Sequence, residues 1–393
     1  VNSVVKYVKK MVPSYKLPKA YSFYQALDLG SEKSFTPVKT SHEDTCFLQY
    51  TGGTTGVSKG TDLTHRNIVA NLLQVAEWKK PLLKYGEEVA ILALPLYHIF
   101  SLTVNGLSLL RYGATNVMIT NPRDIPGFIK TLRKTRFTVF PGLNTLFNAL
   151  MHHEDFQKID FSNLKISVAG GMALQEPVAR KWVELTKTPI VEGYGLTETS
   201  PVACCNPIDG TDKVGTVGLP LPSTEVATWD EDGKELPQGE TGEIVIKGPQ
   251  VMRGYWNRPE ETDKVLVNGW LKTGDIGFCD SQGFFKIVDR KKDMILVSGF
   301  NVYPNEIENV LVDHPKILEA AAVGVPDERS TEVVKVFIVA KDKSLTKEEV
   351  IKYCKEQLTG YKIPKYVEFR DELPKTNVGK ILRRSLRDEE IKK

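Results

Sequence analysis

The feature that most constrains the fold is an alternation of β-branched apolar runs with helical stretches up to about residue 200. Such alternation is typical of parallel strands whose connecting helices cover both faces of a sheet. Helices are predicted, for example, at Ile125–Lys134 and Leu174–Thr186. Strands are predicted at Phe47–Tyr50, Val89–Leu94, Asn116–Thr120, Phe137–Phe140, Lys165–Ala169 and Ile190–Glu192. Because ligand loops follow the carboxyl ends of such strands, we expect three glycine-containing loops to meet at one site: Thr51–Gly60, Gly170-Gly171 and Gly193–Thr199.

The predicted pattern of strands and helices changes after Pro207 and again after Arg290. Short strands and turns between them predict a β-rich subdomain at about 207–290, and a strand and helix pattern beyond predicts a compact α+β domain. We therefore expect an α/β fold with a large N-terminal domain of mixed and parallel sheets, 1–290, and a small C-terminal α+β domain, 291–393. A charged run, Asp289–Asp293, joins the two.

Composition excludes several classes of protein. The net charge of +3 does not indicate a nucleic-acid-binding surface. The sequence has five cysteines, an odd number, and no two of them form a C-x-x-C pair. This pattern favours a reducing compartment such as the cytoplasm and suggests no zinc site. The uncharged stretch Val89–Leu110 is long enough for a membrane span, but its Pro, His, Asn and Gly residues favour a buried strand, a loop and a buried helix.

The segment Tyr50–Gly60 combines four glycines and three threonines with Lys59. Glycines let backbone N–H groups turn toward an anion, threonine hydroxyls add donors, and the lysine adds a positive charge. The Walker pattern does not fit, because Ser58 stands where its second glycine should precede the lysine. The segment predicts a phosphate loop between a strand and a helix. The alternative is a flexible Gly/Thr turn.

Four further motifs carry polar groups on loops and turns. They are Leu94–His98, Tyr194–Thr199, Lys272–Asp275 and Pro374–Lys380. Each alone is weak, since an isolated Asp or His is commonly a cap or a satisfied core residue. In this order, from about Asp44 to Arg384, they resemble the ANL adenylating enzymes, a superfamily that includes acyl-CoA synthetases, firefly luciferase and the adenylation domains of peptide synthetases. Gln49–Gly56 and Gly299–Glu308 most resemble bacterial long-chain fatty-acid–CoA ligases.

The resemblance implies a two-step reaction with ATP, CoA and a fatty acid as substrates and Mg²⁺ as cofactor. A carboxylate attacks the α-phosphate of ATP to give acyl-adenylate and pyrophosphate, and CoA then displaces AMP. Thr51 and Glu198 would supply oxygen ligands to Mg²⁺. Tyr194 would stack on adenine, Asp275 and Arg290 would hold the ribose, and His98 and Gly193 would border the acyl group. The implied ATP site comprises Thr51, Gly52, Gly53, Thr54, Thr55, Gly56, Lys59, Gly170, Gly171, Tyr194, Gly195, Thr197, Glu198, Asp275, Arg290 and Lys380.

The resemblance also implies a moving C-terminal domain. Lys380 would bridge the two anionic reactants of adenylation and offset their repulsion. A rotation about a hinge near Lys292 would then remove Lys380 and bring the Gly299 loop toward the site, forming a channel for CoA. The bland alternative is that Lys380 is one of many surface lysines among 52 Lys and Arg residues. Family members often form homodimers, and long-chain substrates favour loose contact with the inner membrane face.

This sequence departs from the family pattern in three respects. Ser58 replaces a usual proline, and Thr61-Asp62 replaces small or apolar residues, so that an acidic group either faces the phosphates or points elsewhere. The chain opens at Val1, and we expect that it lacks a segment that precedes the phosphate loop in relatives. Two alternatives to CoA ligation therefore remain: an enzyme that loads the acyl group onto a carrier protein, and an inactive remnant that binds nucleotide or acyl groups.

Overall fold

The structure is a computed structural model that describes residues 3–8, 10–51, 58–327, 329–376 and 379–391. Its contacts divide the chain into two compact units, Val1–Ser41 and His42–Lys393. The first unit contains a helical turn at Val4–Val8 and a helix that begins at Phe23, where Ser22 and Gln25 form a reciprocal capping box. All elements after this helix belong to the second unit.

The described residues form ten helices and twenty strands, with short helical turns at Leu102–Leu109, Glu154–Lys158, Thr197–Thr199 and Gly360–Lys362. The helices are α1 (Phe23–Ser31), α2 (His65–Lys79), α3 (Ile99–Ser101), α4 (Ile125–Leu132), α5 (Asn144–Met151), α6 (Glu176–Thr186), α7 (Pro259–Asp263), α8 (Pro304–Asp313), α9 (Lys347–Gln357) and α10 (Arg383–Ile391). The strands are β1 (Thr45–Thr51), β2 (Lys59–Thr64), β3 (Val89–Leu92), β4 (Thr115–Met118), β5 (Val139–Gly142), β6 (Ile166–Ala169), β7 (Ile190–Gly195), β8 (Val202–Cys205), β9 (Leu219–Pro220), β10 (Glu225–Trp229), β11 (Gly242–Lys247), β12 (Gly254–Tyr255), β13 (Leu266–Val267), β14 (Trp270–Cys279), β15 (Phe285–Arg290), β16 (Ile295–Val297), β17 (Phe300–Val302), β18 (Ile317–Asp327), β19 (Thr331–Ala340) and β20 (Tyr366–Phe369).

A seven-stranded sheet forms the centre of the second unit, in the order β4-β3-β5-β6-β7-β8-β9. Its first five strands pair in parallel, and β8 and β9 continue it antiparallel. One face packs on an aromatic core around the fully buried Trp182. The other face packs on a smaller cluster that includes Ala90, Val139, Ile166 and Val191. The predicted α/β class with a parallel sheet is confirmed.

The prediction that a strand passes through the phosphate loop directly into a helix is wrong. β1 pairs antiparallel with β2, and α2 begins only after β2, at His65, where Thr64 and Asn67 form a capping box. β1 also lies in a separate three-stranded sheet, β1-β2-β12, rather than in the central sheet. The reason is that Thr61–Thr64 are buried, and burial favours a paired strand over an exposed connection. The loop between β1 and β2, 52–57, lies outside the described residues.

The uncharged stretch from Val89 forms a buried strand, β3, and helical turns from Ile99 to Leu109, as predicted. Among the described residues, none of the helices has the length and apolarity that crossing a bilayer requires.

Two further sheets follow. The first has the order β10-β11-β14-β13, with β15 on β14, and places Asp275 opposite Arg290. The second has the order β17-β16-β19-β18, with β20 parallel to β19, and packs on α8 and α9 around its own core. The proposed boundary near Lys292 falls between these two sheets and stays a prediction.

Candidate nucleotide and acyl site

One cavity of about 860 Å³ brings together most of the predicted site residues. It is lined by Thr51, Lys59, His98, Gly170, Gly171, Gly193, Tyr194, Gly195, Thr197, Glu198, Arg290, Lys292 and Lys380. An adjoining cavity of about 850 Å³ is lined by Asp275 and shares Tyr194, Arg290 and Lys380 with the first. Gly52, Gly53, Thr54, Thr55 and Gly56 lie outside the described residues. Gly299 lines neither of these two cavities and lies at the turn between β16 and β17.

Two glycines of the cavity wall hold positions that a side chain would not fit. Gly171 follows β6 with φ of +80°, in the left-handed region that glycine adopts without strain. A Cβ atom on Gly195 would lie 1.7 Å from the carbonyl oxygen of Pro201, so no side chain can be placed there. These positions explain why the wall here is bare backbone, which a flat aromatic or ribose ring can approach closely.

The predicted ribose-binding residues form a connected group. The Tyr194 hydroxyl donates to Asp275 Oδ2 at 2.7 Å, and Arg290 Nε lies 3.1 Å from Asp275 Oδ1. Asp275 raises the pKa of Arg290, and burial, followed by the charge of Asp275, raises the pKa of Tyr194. Asp275 is buried, and the lone pairs that these two contacts leave on its carboxylate oxygens are available to hydroxyl donors.

A second group connects the predicted metal and phosphate residues. The Tyr255 hydroxyl donates to Glu198 Oε1 at 2.7 Å, and the ammonium of Lys59 lies 4.8 Å from the centre of the Tyr255 ring. Lys59 also donates to Glu261 Oε2 at 2.5 Å. Hydrogen bonds from Lys264 and from Lys59 lower the pKa of Glu261 to about 2. Tyr255 therefore contacts both Glu198 and Lys59, although no sequence motif indicates this role.

His98 and Lys380 both line the cavity, and the charge of Lys380 acts on the His98 ring. His98 caps the following helical turn through Nδ1, which accepts from the Phe100 N–H at 3.3 Å, so the neutral ring carries its proton on Nε2. Burial, and then the charge of Lys380, lowers the pKa of His98. Burial, and then the charge of Arg290, lowers the pKa of Lys380 to about 8.

The C-terminal sheet and helices hold Lys380 against the cavity through polar contacts to α5 and α6. Thr145 Oγ1 donates to the Gly379 carbonyl at 3.2 Å, and the Asn148 amide donates to the Leu318 carbonyl at 3.0 Å. Near the proposed hinge, Arg387 donates to the Lys292 carbonyl at 2.9 Å. The first two contacts join parts of the chain on opposite sides of Lys292, and together with the Arg387 contact they favour the orientation in which Lys380 reaches the cavity.

The side chain of Asp62, the acidic residue that departs from the family pattern, points away from this cavity. Its carboxylate accepts from Arg253 Nε at 3.0 Å and from the Thr45 hydroxyl at 2.9 Å. It is 5% exposed and does not line the cavity. Asp62 is therefore a buried structural ion-pair partner, which settles the choice that the sequence left open.

The same cavity has an apolar arm, which we define by Val75, Ile166, Val168, Val191, Ile208 and Leu221. The arm runs back along β6 from Gly170 to Ile166, which is about 13 Å at 3.3 Å per residue. α2 covers it with Val75, Trp78 and Lys79. Periodicity in the sequence marked α2 as a helix, but it did not show that Lys79 would face a cavity.

Comparison with known proteins agrees with this geometry. The model of the AMP-binding enzyme family matches residues 4–256, and that of the AMP-binding enzyme C-terminal domain matches residues 306–380. The chain belongs to the AMP-binding enzymes. It is 58% identical over 389 residues to a long-chain-fatty-acid–CoA ligase of Escherichia coli O6:H1, covering 99% of this chain and 69% of that protein.

Two solved structures of one relative, with and without ATP, show which of its two forms this AMP-binding enzyme resembles more. ATP-bound MatB from Rhodopseudomonas palustris, at 32% identity, matches with a TM-score of 0.83 over 93% of this chain and 72% of that chain. Apo MatB from the same organism, with the same identity and coverage, matches with a TM-score of 0.71. The arrangement of this enzyme is thus more similar to the ATP-bound than to the apo form of that relative.

Proposed function

We propose that this enzyme activates a long-chain fatty acid with ATP to form an acyl-adenylate, and then transfers the acyl group to CoA with release of AMP. The observation that carries the proposal is the convergence of Lys380, Glu198 and Lys59 on one cavity that continues into an apolar arm. Charged groups at one end suit a triphosphate and a carboxylate, and the arm suits a hydrocarbon chain. The identity of 58% to a long-chain-fatty-acid–CoA ligase supports the same reaction.

In the first half-reaction, the fatty carboxylate attacks the α-phosphorus, the bond to the bridging oxygen breaks, and pyrophosphate leaves. Both reactants are anions, so their approach is opposed by charge repulsion. Lys380 lines the cavity, and its ammonium would contact both reactants and, as a preorganised donor, stabilise the charge that concentrates in the transition state. His98 lines the same cavity, and its Nε2 proton would be donated in a hydrogen bond to the incoming carboxylate.

The residues present fit a magnesium ion. Glu198 Oε1 accepts one hydrogen bond from Tyr255, and the described residues offer no donor to Oε2. The Thr51 hydroxyl belongs to the same cavity. No group of three or more acidic, His or Cys side chains suited to a metal occurs within the described ranges, so this pair would be completed by phosphate oxygens and water, as Mg²⁺ prefers. The bound ion would neutralise charge on the pyrophosphate leaving group.

In the second half-reaction, CoA must reach the acyl carbon, and in the present arrangement Lys380, which lines the cavity, would stand in its path. A rotation near Lys292 would withdraw Lys380 and bring the Gly299 turn to the cavity. Support for a rotation comes from two contacts of the C-terminal part with α5, whereas the ion pair between Arg383 and the buried Asp289 lies close to the proposed hinge itself. Thr145 to Gly379 and Asn148 to Leu318 are single polar bonds. Contacts of this kind are exchanged at low cost.

The test is fatty-acid-dependent ATP–pyrophosphate exchange, followed by CoA-dependent release of AMP. We expect exchange with hexadecanoic acid and AMP release that depends on free CoA. Exchange followed by release that depends on an acyl carrier protein instead would establish carrier loading. ATP binding without exchange would establish a nucleotide-binding remnant, and either result would contradict the proposal.

Dimerisation and loose attachment to membrane surfaces belong to the same proposal. They rest on the family resemblance and on the low solubility of long-chain substrates. Sedimentation in the presence and absence of anionic lipid vesicles would test both.

A further inference from the structure

A lysine lies in the apolar arm of the cavity without a counter-charge. Lys79 is 8% exposed, and its ammonium donates to the hydroxyl of Ser108 at 3.2 Å. Ser108 is itself fully buried. No carboxylate within the described ranges forms an ion pair with Lys79. The proposed function does not use this ammonium, since adenylation takes place at the other end of the cavity.

The surroundings of Lys79 do not account for its presence. The neighbouring cavity wall consists of aliphatic side chains from β6, β7 and α2. Cys205 is the ionisable group whose charge would raise the pKa of Lys79, but burial raises the pKa of this thiol to about 12, so it carries no compensating charge at neutral pH. Burial lowers the pKa of Lys79 to about 8, which still leaves it mostly protonated at pH 7.

Burying a charge in such a wall is costly unless a partner is present for at least part of the working cycle. Lys79 is the last residue of α2, where the helix carbonyls favour a positive charge, and Ser108 accepts one of its three protons. Lys79 itself lines the cavity, and the described residues provide no acceptor for its other two donors. The residue is therefore suited to an anionic or strongly accepting group that arrives inside the arm.

We propose that Lys79 and Ser108 form a polar subsite at the inner end of the apolar arm, and that this subsite binds the distal carboxylate of a long-chain α,ω-dicarboxylic acid. This inference rests on the proposed function, because the proximal carboxylate of the same molecule is the one that is activated. The hydrocarbon between the two carboxylates lies along the arm. The distance from the adenylation site to Lys79 then selects a chain length among such diacids.

The experiment compares hexadecanoic acid with α,ω-diacids from hexanedioic to hexadecanedioic acid in the exchange assay. We expect one diacid to exceed the monoacid of equal length in kcat/KM. Lys79→Met keeps the shape and removes the charge, so we expect the ratio of diacid to monoacid to fall about 100-fold, because a site built for a polar group discriminates strongly. Lys79→Gln should retain part of the preference through hydrogen bonding.

The matched control is Lys80→Met, the adjacent residue, which is exposed and pairs with Glu77. It makes the same change of charge outside the cavity and should leave the ratio unchanged. Thermal unfolding of each variant shows whether it is folded, and if Lys79→Met is not, the ratio for Lys79→Gln decides. An unchanged ratio in the folded Lys79 variant would overturn the inference.

Direct calorimetric titration with the best diacid separates this inference from the proposed function. If hexadecanoic acid supports exchange but no diacid binds more tightly to the parent enzyme than to Lys79→Met, the subsite is refuted and the proposed function stands. If no acid supports exchange but diacid binding depends on Lys79, the subsite is supported and the proposed function is refuted.

Discussion

Two lysines lie at opposite ends of one cavity, and burial lowers the pKa of both to about 8. Lys380 lies among charged groups, since Arg290 and Asp275 both act on it, and it is carried by a loop of the C-terminal part. Lys79, in contrast, is the last residue of a helix. Its polar surroundings are the hydroxyl of Ser108 and the uncharged thiol of Cys205. Under the proposed function and the proposed subsite, similar desolvation would serve different chemistry: the Lys380 ammonium would stabilise a transition state, and the Lys79 ammonium would bind a ground-state ligand.

The largest expected effect is on the rate of acyl-adenylate formation when Lys380 is replaced. Lys380→Ala should slow acyl-adenylate formation about 100- to 1,000-fold, because it removes one preorganised donor from a site where negative charge concentrates. Thioester formation from supplied acyl-adenylate should be nearly unchanged. Single-turnover assays of each half-reaction measure the two effects.

The control for that experiment is Lys375→Ala, which removes a lysine from the same loop that pairs with Glu319 at 2.6 Å instead of lining the main cavity. We expect it to retain adenylation. An equal loss of both half-reactions in Lys380→Ala would mean that Lys380 supports structure or binding in general, and the contrast between the two ends of the cavity would lose its basis.

A smaller effect should come from Tyr255, whose hydroxyl holds Glu198. Tyr255→Phe keeps the ring beneath Lys59 and removes the donor, so it should weaken metal affinity about 10- to 100-fold while leaving ATP affinity in the absence of metal unchanged. Mn²⁺ binding followed by electron paramagnetic resonance measures the first quantity, and calorimetry with ATP measures the second. Tyr366→Phe, at an exposed tyrosine of β20, is the control. Unaltered Mn²⁺ affinity would show that Tyr255 does not position Glu198.

Much of the fold could be predicted from local pattern. The parallel strands of the central sheet are short apolar runs, and those runs locate β3, β5, β6 and β7 within a few residues. β2 was missed because Lys59–Thr64 contains no apolar run; it becomes a strand through pairing with β1 and burial against β12. Such pairing is a property of the tertiary structure rather than of the segment.

The residues of the site also divide into those that sequence motifs indicate and those that only the tertiary structure reveals. Residues such as Glu198, Asp275 and Lys380 were predictable because motifs in fixed order carried them. Tyr255 and Lys79 were not, because their partners are distant in sequence: Tyr255 reaches Glu198 over 57 residues, and Lys79 reaches Ser108 over 29. A motif specifies which functional groups lie close together along the chain, whereas the environment of a side chain depends on which distant segments the fold brings together.

The smallest expected effect concerns the only hydrogen bond that the described residues provide to the ammonium of Lys79. Ser108→Ala should lower the free energy of unfolding by about 1 kcal/mol at pH 7, since a buried charge loses its acceptor. The Lys79 pKa of about 8 lies below its ordinary 10.5, so the unfolded chain binds more protons between these values and stability rises with pH there.

The destabilisation by Ser108→Ala should accordingly shrink as the pH rises from 7 to 10, because a neutral amine needs the acceptor less. Lys380 titrates over the same range, but it contributes equally to both proteins and cancels from the difference. Denaturant unfolding at each pH measures the effect, with the exposed Ser281→Ala as control. A difference that stays constant to pH 10 would mean that Ser108 stabilises the fold by packing alone, and Lys79 would then lack the protonated state that its proposed ligand requires.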